Sequence, residues 1–451
     1  MEIKQFEDKN LAHYSYAIIS KGEVALIDPA RNPQQYYDFA KQHNAKITTV
    51  IETHPHADFV SSHLEIHNTT DATIYVSKLL GAEYPHQTFD DGDAIVLGNI
   101  TLKALNTPGH SPDSISIVAI NENEKQQAIF TGDTLFIGDC GRPDLREQAG
   151  AITAAREELA KQMFHSLRNQ LMTLPDDVLV YPAHGAGSLC GKGLSEQNSS
   201  TIGAEKISNW SLQTMSEENF VKELLADQPF IPKYFPFDVG ANKKGADAYA
   251  INIAKVKQRE PVTCQGCANS LNPDILIIDT RPQVQFKKAH LKNAINLMND
   301  TKFETWLGSI VNPNEQFYLI AENETVLNQL IERTAKIGYE KQIALAFVMD
   351  YGNTEMNLFD SDKLKDNEGA YTIIDIRNHS EVKTSKIFAN AIHIPLHELR
   401  ERTNEIPVNK PIVVHCAGGY RSAAGSSIIK SKLNGTSQVY DLSEAVKQFQ
   451  K

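Results

Sequence analysis

Short apolar runs alternate with Asp, Gly and Pro turns along the first half of the chain. Such runs, rich in β-branched residues, predict strands. They are HYSYAIIS, GEVALIDP, ITTVIETH, ATIYVS, ITLKALNTPGH, SISIVAI, QQAIFTGDTLF and DVLVYPAHG. Residues 32–43 and 149–174 have helical character and lie between these runs. Strands and helices mixed in this way predict an α/β layered domain.

The pattern changes after this region. Residues 198–250 are polar and Pro-rich without strand alternation, and we predict one or two helices and an ordered linker packed on the first domain. Two later segments, 274–298 and 370–396, each run from an apolar strand through Asp-x-Arg to a polar helix start and a second short strand. A repeat of about 95 residues predicts two copies of a small α/β domain. The predicted domains span residues 1–245, 246–358 and 359–451.

Composition narrows the possible functions. The chain has 451 residues, with 44 Lys and Arg against 56 Asp and Glu, for a formal net charge of −12. We therefore expect neither a nucleic-acid nor an anionic-membrane partner, because both require a basic face. No apolar run approaches the roughly 18–20 residues of a membrane span. Five scattered cysteines are too few for a disulfide framework and indicate a cytoplasmic protein with reduced thiols.

Loops after four predicted strands carry metal-binding side-chain types. A His-x-His-x-Asp cluster at a strand end brings two imidazoles and a carboxylate together, as a borderline metal requires. Each histidine or aspartate in the later loops would be ambiguous alone, but their order after successive apolar strands favours one metal centre. The residues are His54, His56 and Asp58 in the first loop, followed by His110, Asp133 and His184.

The segments THPHAD, TPGHS, TGDTLF and PAHG resemble the metallo-β-lactamase superfamily. The resemblance implies an αββα sandwich for the N-terminal domain. In that family the first motif usually reads His-x-His-x-Asp-His, and its last histidine binds a second metal. Phe59 occupies that position here and cannot bind a metal, so a two-metal hydrolase would lose a ligand.

The variant THPHADFVSSH, together with GDCGRPD, resembles the persulfide dioxygenase branch of that superfamily. The resemblance implies one Fe²⁺ per chain, held by two histidines and one carboxylate with open positions for persulfide and dioxygen. It also places a basic group, Arg142, near the substrate; an ion pair with Asp139 or Asp144 is the alternative. The implied iron ligands are His54, His110 and Asp133, supported by His56, Asp58 and His184, with His56 as an alternative ligand.

A second reactive loop lies near the C-terminus. A β-branched strand leads into Cys416, and the following Gly418 and Gly419 let backbone N–H groups point at the sulfur, which favours a thiolate. Arg421 ends the loop with a positive charge. The six-residue loop resembles the active-site loop of rhodaneses, which implies that Cys416 accepts and donates sulfane sulfur while the loop, including Tyr420, binds substrate.

The middle copy lacks this chemistry. It repeats Asp279 and Arg281, the counterparts of Asp375 and Arg377 in the last copy, but has Ala-Glu-Asn-Glu at 321–324, where the catalytic loop would follow. We interpret it as an inactive rhodanese-like domain that serves as a spacer and an interface. We therefore expect a homo-oligomer, a dimer or a tetramer.

The remaining cysteines and histidines are harder to assign. Cys190 is the better candidate for a thiol that takes part in turnover near the metal, ahead of Cys140; burial as a small residue is the alternative for both. Cys264 and Cys267 have CxxC spacing, but two further zinc ligands are not evident. Four histidines without a motif are expected at the surface: His13, His43, His86 and His165.

The resemblances together imply a persulfide dioxygenase–rhodanese fusion that acts in sulfide detoxification. Its substrates would be O₂ and a persulfide of glutathione, coenzyme A, bacillithiol or cysteine, giving sulfite; Cys416 would then transfer sulfur to sulfite to give thiosulfate. A glyoxalase II-like thioester hydrolase with a zinc site is one alternative. A sulfur-carrier or persulfide-sensing protein without turnover is another.

Overall fold

The computed structural model describes residues 1–145 and 155–450. The chain divides into two compact units, residues 1–252 with 335–338, and residues 253–334 with the chain from 339 onward. The boundaries proposed from the sequence, at 245/246 and 358/359, stay predictions. In the described ranges no helix is both long and apolar enough to cross a membrane.

The first unit contains two six-stranded sheets. In the first sheet the strands are in sequential order, antiparallel from β1 to β3 and parallel from β3 to β6. The strands are β1 (Glu2–Asp8), β2 (His13–Ser20), β3 (Glu23–Ile27), β4 (Lys46–Ile51), β5 (Thr73–Val76) and β6 (Gln87–Thr88).

The second sheet has the order β12-β11-β10-β9-β8-β7, with only the β10–β11 pair parallel. Its strands are β7 (Ala94–Leu97), β8 (Ile100–Asn106), β9 (Ile115–Ile120), β10 (Gln126–Gly132), β11 (Leu179–Pro182) and β12 (Ser200–Thr201). The sequence pattern missed β1, whose polar residues suit a half-exposed edge strand, and also β6, β7 and β12.

Helices cover both outer faces of this sheet pair. Tyr36 and Ile66, on α1 and α2, pack against the outer face of the first sheet, and Met163 and Phe220, on α3 and α5, pack against the second. A third apolar cluster fills the space between the sheets. The first-unit helices are α1 (Gln34–Gln42), α2 (His63–Thr70), α3 (Arg156–Asn169), α4 (Ile202–Ser208), α5 (Glu217–Leu225), α6 (Phe235–Lys244) and α7 (Tyr249–Ala254). The predicted αββα sandwich is therefore confirmed.

Two helix predictions need adjustment. The helix predicted over 149–174 corresponds to α3, and its residues 149–154 lie outside the described residues. The region 198–250 contains three complete helices, α4 to α6, and the start of α7, rather than one or two. The reason is local capping: Thr201 and Ser216 each accept a backbone N–H from the next turn and begin separate short helices.

The second unit holds two four-stranded parallel sheets of the same topology, β14-β13-β15-β16 and β18-β17-β19-β20. The strands are β13 (Leu276–Asp279), β14 (Ala294–Asn296), β15 (Phe317–Ala321), β16 (Ile343–Val348), β17 (Thr372–Asp375), β18 (Ile392–His393), β19 (Ile412–His415) and β20 (Val439–Asp441). The helices are α8 (Gln265–Asn269), α9 (Gln283–Lys288), α10 (Phe303–Ile310), α11 (Glu324–Lys336), α12 (Ser361–Asp366), α13 (His379–Thr384), α14 (Leu399–Arg402) and α15 (Tyr420–Leu433).

The Asp-x-Arg motif has the same structural role in both copies. Arg377 donates from Nε and Nη2 to the Asp375 carboxylate, and also from Nη2 to the Ser385 carbonyl at 2.9 Å. Arg281 binds Asp279 in the same way and donates to the Ala289 carbonyl, also at 2.9 Å. Each buried pair ties the end of the first strand to the end of the following helix, which explains why the motif marks the repeat.

Candidate metal centre and sulfur-transfer loop

The predicted metal-binding side chains lie on loops after β4, β8, β10 and β11, at one edge of the sheet pair. Gly132, at the end of β10, has a φ of +51°, and a Cβ there would lie 2.6 Å from Thr53 Oγ1. Because only glycine tolerates both conditions, it lets the backbone before Asp133 approach the His54 loop. Side chains from opposite sheets thus meet in one buried cluster.

His54, His110 and Asp133 present their donor atoms to one another. Asp133 Oδ2 lies 3.7 Å from His54 Nε2 and 3.4 Å from His110 Nε2. Donor atoms bound to one metal at ordinary bond lengths are roughly 3 Å apart, so these distances fit a metal site. All three side chains are buried, and neither Asp133 oxygen has a well-formed hydrogen bond among the described residues. A cation between them would compensate this buried carboxylate.

Two interactions prepare the imidazoles for metal binding. Thr53 donates its hydroxyl proton to Asp28 at 2.9 Å, so its oxygen accepts from His54 Nδ1 at 3.0 Å, and His54 Nε2 is the ring nitrogen that faces Asp133. Burial, opposed by Asp133, lowers the pKa of His110 to about 4, which keeps the ring in its neutral, metal-binding form. Asp28 was missed by the sequence analysis, although it directly follows a predicted strand.

His56 is oriented differently. Its Nε2 lies 3.2 Å from Asp28 Oδ1. Burial lowers the pKa of His56, but Asp28 outweighs burial and the pKa rises to about 9. With Nε2 directed at Asp28, this geometry favours a supporting role for His56. The alternative, in which His56 joins Asp133 and His184 as a ligand, is also compatible with the spacing of their donor atoms.

Phe59 fills the position of the family's additional histidine. Its buried ring packs 3.9 Å from the ring of His13 and 4.4 Å from that of His56, measured between centroids. His13 is also buried, so the prediction that it lies at the surface is wrong. It begins β2 and pairs with His184 in an isolated β-bridge, a tertiary contact that its sequence context does not indicate.

Cys190 lies beside the candidate metal ligands. Its sulfur falls within 4.8 Å of ligand atoms of Asp58 and His184. His184 Nε2 in turn lies 3.5 Å from both Asp58 Oδ2 and Asp133 Oδ1. Burial and the two carboxylates raise the pKa of the Cys190 thiol well above its usual value, so it is held protonated. Its role in turnover stays a prediction, whereas Cys140 packs in the apolar core beneath α3.

Arg142 forms the ion pair that the sequence offered as an alternative role. Its Nε and Nη2 each donate to Asp144 at 2.7 Å, and Nη1 donates to the Leu189 carbonyl at 3.2 Å. The side chain is 1% exposed. The carboxylate partly neutralises the guanidinium, and its contact with substrate stays a prediction.

The Cys416 loop connects β19 to α15. The Gly419 N–H donates to Cys416 Sγ at 3.1 Å, an interaction that stabilises negative charge on sulfur. Gly419 has a φ of +103°, and a Cβ there would lie 2.9 Å from the Glu444 backbone nitrogen. The neighbouring Tyr420 donates its hydroxyl to the Met298 carbonyl of the middle domain at 3.2 Å, which anchors the end of the loop.

Arg421 does not present an unpaired positive charge. Its two terminal nitrogens donate to the Glu381 carboxylate at 2.5 and 2.7 Å. Glu381 also accepts the Asn378 N–H and forms the capping box of α13. This carboxylate therefore fixes the guanidinium and reduces its net charge toward an anionic substrate.

We expect Glu381→Gln to lower the sulfurtransferase kcat/KM roughly tenfold, because an amide replaces a charge-assisted, two-point contact worth about 1.5 kcal/mol or more. Transfer of sulfur from thiosulfate to cyanide measures this effect. Glu398→Gln is the matched control, since Glu398 pairs with the more exposed Arg402 in the same domain. Equal activity of the two variants would contradict a positioning role for Glu381.

The corresponding loop of the middle domain has no thiol. Between β15 and α11 it places Asn323, whose side chain accepts the Val326 N–H at 2.9 Å and begins α11. Glu322 and Glu324 add negative charge on either side. The nucleophile of the last domain thus has no counterpart here.

Comparisons with known proteins agree with this architecture. The metallo-β-lactamase superfamily model matches residues 9–184, and the rhodanese-like domain model matches residues 267–347 and 360–451. A crystal structure of a metallo-β-lactamase from Staphylococcus aureus is 34% identical, has a TM-score of 0.69, and covers 77% of this chain and 99% of its own.

Two curated relatives match the N-terminal region. The bovine mitochondrial persulfide dioxygenase ETHE1 is 31% identical over 247 residues, which is 53% of this chain and 87% of the relative. The cytoplasmic hydroxyacylglutathione hydrolase of Arabidopsis thaliana is 34% identical over 176 residues, which is 38% of this chain and 63% of the plant enzyme. This chain therefore belongs to the metallo-β-lactamase superfamily as a homologue of the ETHE1 persulfide dioxygenases that carries two rhodanese-like domains.

Proposed function

We propose that the chain oxidises a low-molecular-weight thiol persulfide with O₂ to sulfite and the free thiol, and then transfers sulfane sulfur to sulfite. The observation that carries the proposal is the presence of two complementary sites in one chain. One is a buried pair of histidines and a carboxylate with Phe59 in place of a second-metal ligand. The other is a cysteine loop with a backbone N–H directed at the sulfur.

We propose one Fe²⁺ per chain on His54, His110 and Asp133. When bound, it would supply a coordination site for sulfur and the redox chemistry needed to use dioxygen. The protein's contribution is to orient the two imidazoles and to exclude bulk water around Asp133. Asp58, His184 and the Cys190 thiol border the same space and are the groups available to orient the persulfide and to exchange protons with it.

The net reactions balance without a further cofactor. Persulfide, O₂ and water give thiol, sulfite and two protons. In the second step the Cys416 thiolate attacks the outer sulfur of another persulfide, releases the thiol, and passes that sulfur to sulfite as thiosulfate. Both steps use the same class of donor, so placing them in one chain removes sulfite close to its source.

The substrate's carrier thiol is proposed as a class. Glutathione, coenzyme A, bacillithiol and cysteine persulfides all carry a carboxylate or phosphate that Arg142 could contact if it shares its guanidinium with Asp144. A cytoplasmic location and a homo-oligomer, a dimer or tetramer, belong to the same proposal. No nucleic-acid or membrane partner is proposed.

The decisive experiment measures metal content and oxygen consumption of anaerobically purified protein after addition of glutathione persulfide. One iron per chain with rapid oxygen uptake is the expected result. Zinc with no oxygen uptake would overturn the proposal. Stoichiometric persulfidation of the protein without turnover would instead identify a sulfur carrier or sensor.

Thioester hydrolysis is the second candidate function, because the plant hydroxyacylglutathione hydrolase is 34% identical in the matched region. It predicts hydrolysis of S-lactoylglutathione without oxygen uptake. The structure disfavours the two-metal form, since Phe59 packs against His13 and His56 at the position where the family places a ligand.

Phe59→His tests this interpretation. We expect metal content to rise from one toward two per chain, because a new imidazole at this position would add a donor beside His56. Phe59→Leu is the matched control and should keep one metal. Elemental analysis of both variants after equal metal loading gives the readout. An unchanged metal stoichiometry in Phe59→His would contradict the interpretation that Phe59 occupies the position of a second-metal ligand.

A further inference from the structure

Two cysteines outside both sites form a pair in the middle domain. Cys264 and Cys267 are free thiols at the start of α8, with Cys264 exposed and Cys267 partly exposed. The Cys267 backbone N–H donates to Cys264 Sγ at 3.2 Å. In contrast, Cys140, Cys190 and Cys416 are buried in separate places.

The turn that carries the pair is well ordered by its own contacts. The Cys264 carbonyl accepts the Ala268 N–H at 3.1 Å, and Ser270 Oγ donates to the Cys267 carbonyl at 2.7 Å. Cys267 also packs against the apolar cluster that contains Val262 and Phe286. Cys264 Sγ already lies 3.2 Å from the Cys267 backbone nitrogen, so the two sulfurs need only a short approach to form a disulfide.

Local electrostatics activate one thiol more than the other. The side chain and then the backbone N–H of Cys267 lower the pKa of Cys264, and Arg259 contributes in the same direction. Arg259 is placed there by a hydrogen bond from its guanidinium to Ser270 Oγ at 3.1 Å. These contacts stabilise the thiolate of Cys264, which is also the more exposed of the two thiols.

We propose that Cys264 and Cys267 form a dithiol–disulfide couple that low-molecular-weight persulfides oxidise. The Cys264 thiolate attacks the outer sulfur of the persulfide and releases the carrier thiol, leaving a persulfide on Cys264. The Cys267 thiolate then attacks Cys264 Sγ, closes the disulfide and expels hydrogen sulfide. The two thiols lose two electrons and two protons, and the transferred sulfur gains the electrons and becomes sulfide.

This reaction goes beyond the proposed function, since it requires neither the metal centre nor Cys416. It shares only the persulfide substrate class. Return to the dithiol requires a reducing dithiol, either a small molecule or a protein of the thioredoxin type. The fraction of the pair in the disulfide form would thus depend on the ratio of persulfide to dithiol reductant.

The test uses the full-length Cys416→Ser chain, anaerobic and treated with a chelator, so that neither proposed activity consumes the probe. Glutathione persulfide is added, free thiols are alkylated, and peptides are analysed by mass spectrometry while released sulfide is measured. We expect a peptide that joins Cys264 to Cys267, with one sulfide released per disulfide. Dithiothreitol should restore both thiols.

Two single variants added to this chain assign the roles. Cys267→Ser should stop with one extra sulfur on Cys264 and release no sulfide. Cys264→Ser should react at least about tenfold more slowly. Equal rates in the two variants, or free thiols at both positions after treatment of the parent chain, would overturn the proposal. In the otherwise wild-type chain neither variant should change oxygen uptake, so failure here is distinguishable from failure of the dioxygenase proposal.

Discussion

The His110→Ala variant is expected to lose its bound metal and to reduce persulfide-dependent oxygen uptake at least about a hundredfold. Loss of a residue that only supports a metal ligand typically costs roughly 10–100-fold in affinity or activity, and His110 is one of the three proposed ligands themselves. His110 Nε2 lies 3.4 Å from Asp133 Oδ2, and Ala offers no donor atom in its place. Elemental analysis and an oxygen electrode with glutathione persulfide measure both effects.

His165→Ala is the control for this variant. His165 is 57% exposed and pairs with Glu217 at the surface, so its replacement should leave metal content and oxygen uptake unchanged. Transfer of sulfur from thiosulfate to cyanide should persist in His110→Ala, which shows that the chain is folded. If His110→Ala retained its iron, the ligand assignment would move to His56 together with Asp133 and His184.

The Cys416→Ser variant is expected to show the opposite separation. Sulfur transfer from thiosulfate to cyanide should fall roughly a thousandfold or more, because a serine hydroxyl is not ionised at neutral pH and cannot form the persulfide. Oxygen uptake should stay within about twofold of the wild type. The product of persulfide oxidation should shift from thiosulfate to sulfite, measured by ion chromatography.

The two variants together test whether the metal centre and Cys416 catalyse separate steps. His110→Ala serves as the reciprocal control, since it should retain the activity that Cys416→Ser loses. If oxygen uptake disappeared in Cys416→Ser, the two sites would act as one. If thiosulfate formation continued at the wild-type rate, a different thiol would be the sulfur acceptor, and Cys190 would be the next residue to replace.

Much of the fold was predictable because the strands carry strong local signals. The runs that became β2, β3, β4, β5, β8, β9, β10 and β11 are apolar, β-branched and bounded by turns. The strand β1 was missed because its register with β2, rather than its own composition, makes it part of the sheet. The helices of 198–250 were underestimated because they are short, and because Thr201 and Ser216 begin α4 and α5 by local capping.

The candidate metal residues were predictable to a similar extent. His54, His110 and Asp133 follow apolar strands in recognisable motifs, and these strands end at one edge of the sandwich. Asp28 and His13 were not predicted as part of the site, since each owes its place to a partner far away in the sequence. Asp28 is fixed by Thr53, and His13 by its bridge to His184.

Residue types and their local spacing were enough to predict which chemical groups the protein carries and the order in which they follow its strands. They identified a cluster of metal-binding side chains, the absence of a ligand at Phe59, and a nucleophilic Cys416 with no equivalent in the middle domain. These are properties of residue type and local spacing, and they do not depend on how distant segments pack.

The charge and the partners of those groups depend instead on tertiary contacts. The tertiary structure directed His56 toward Asp28, bound Arg142 to Asp144 and Arg421 to Glu381, and set Cys190 beside two carboxylates. The reason is physical: the pKa of a group and the net charge it presents depend on burial and on neighbours a few ångströms away. Such neighbours can come from segments more than a hundred residues apart, as for Cys190 and Asp58, and local sequence does not contain that information.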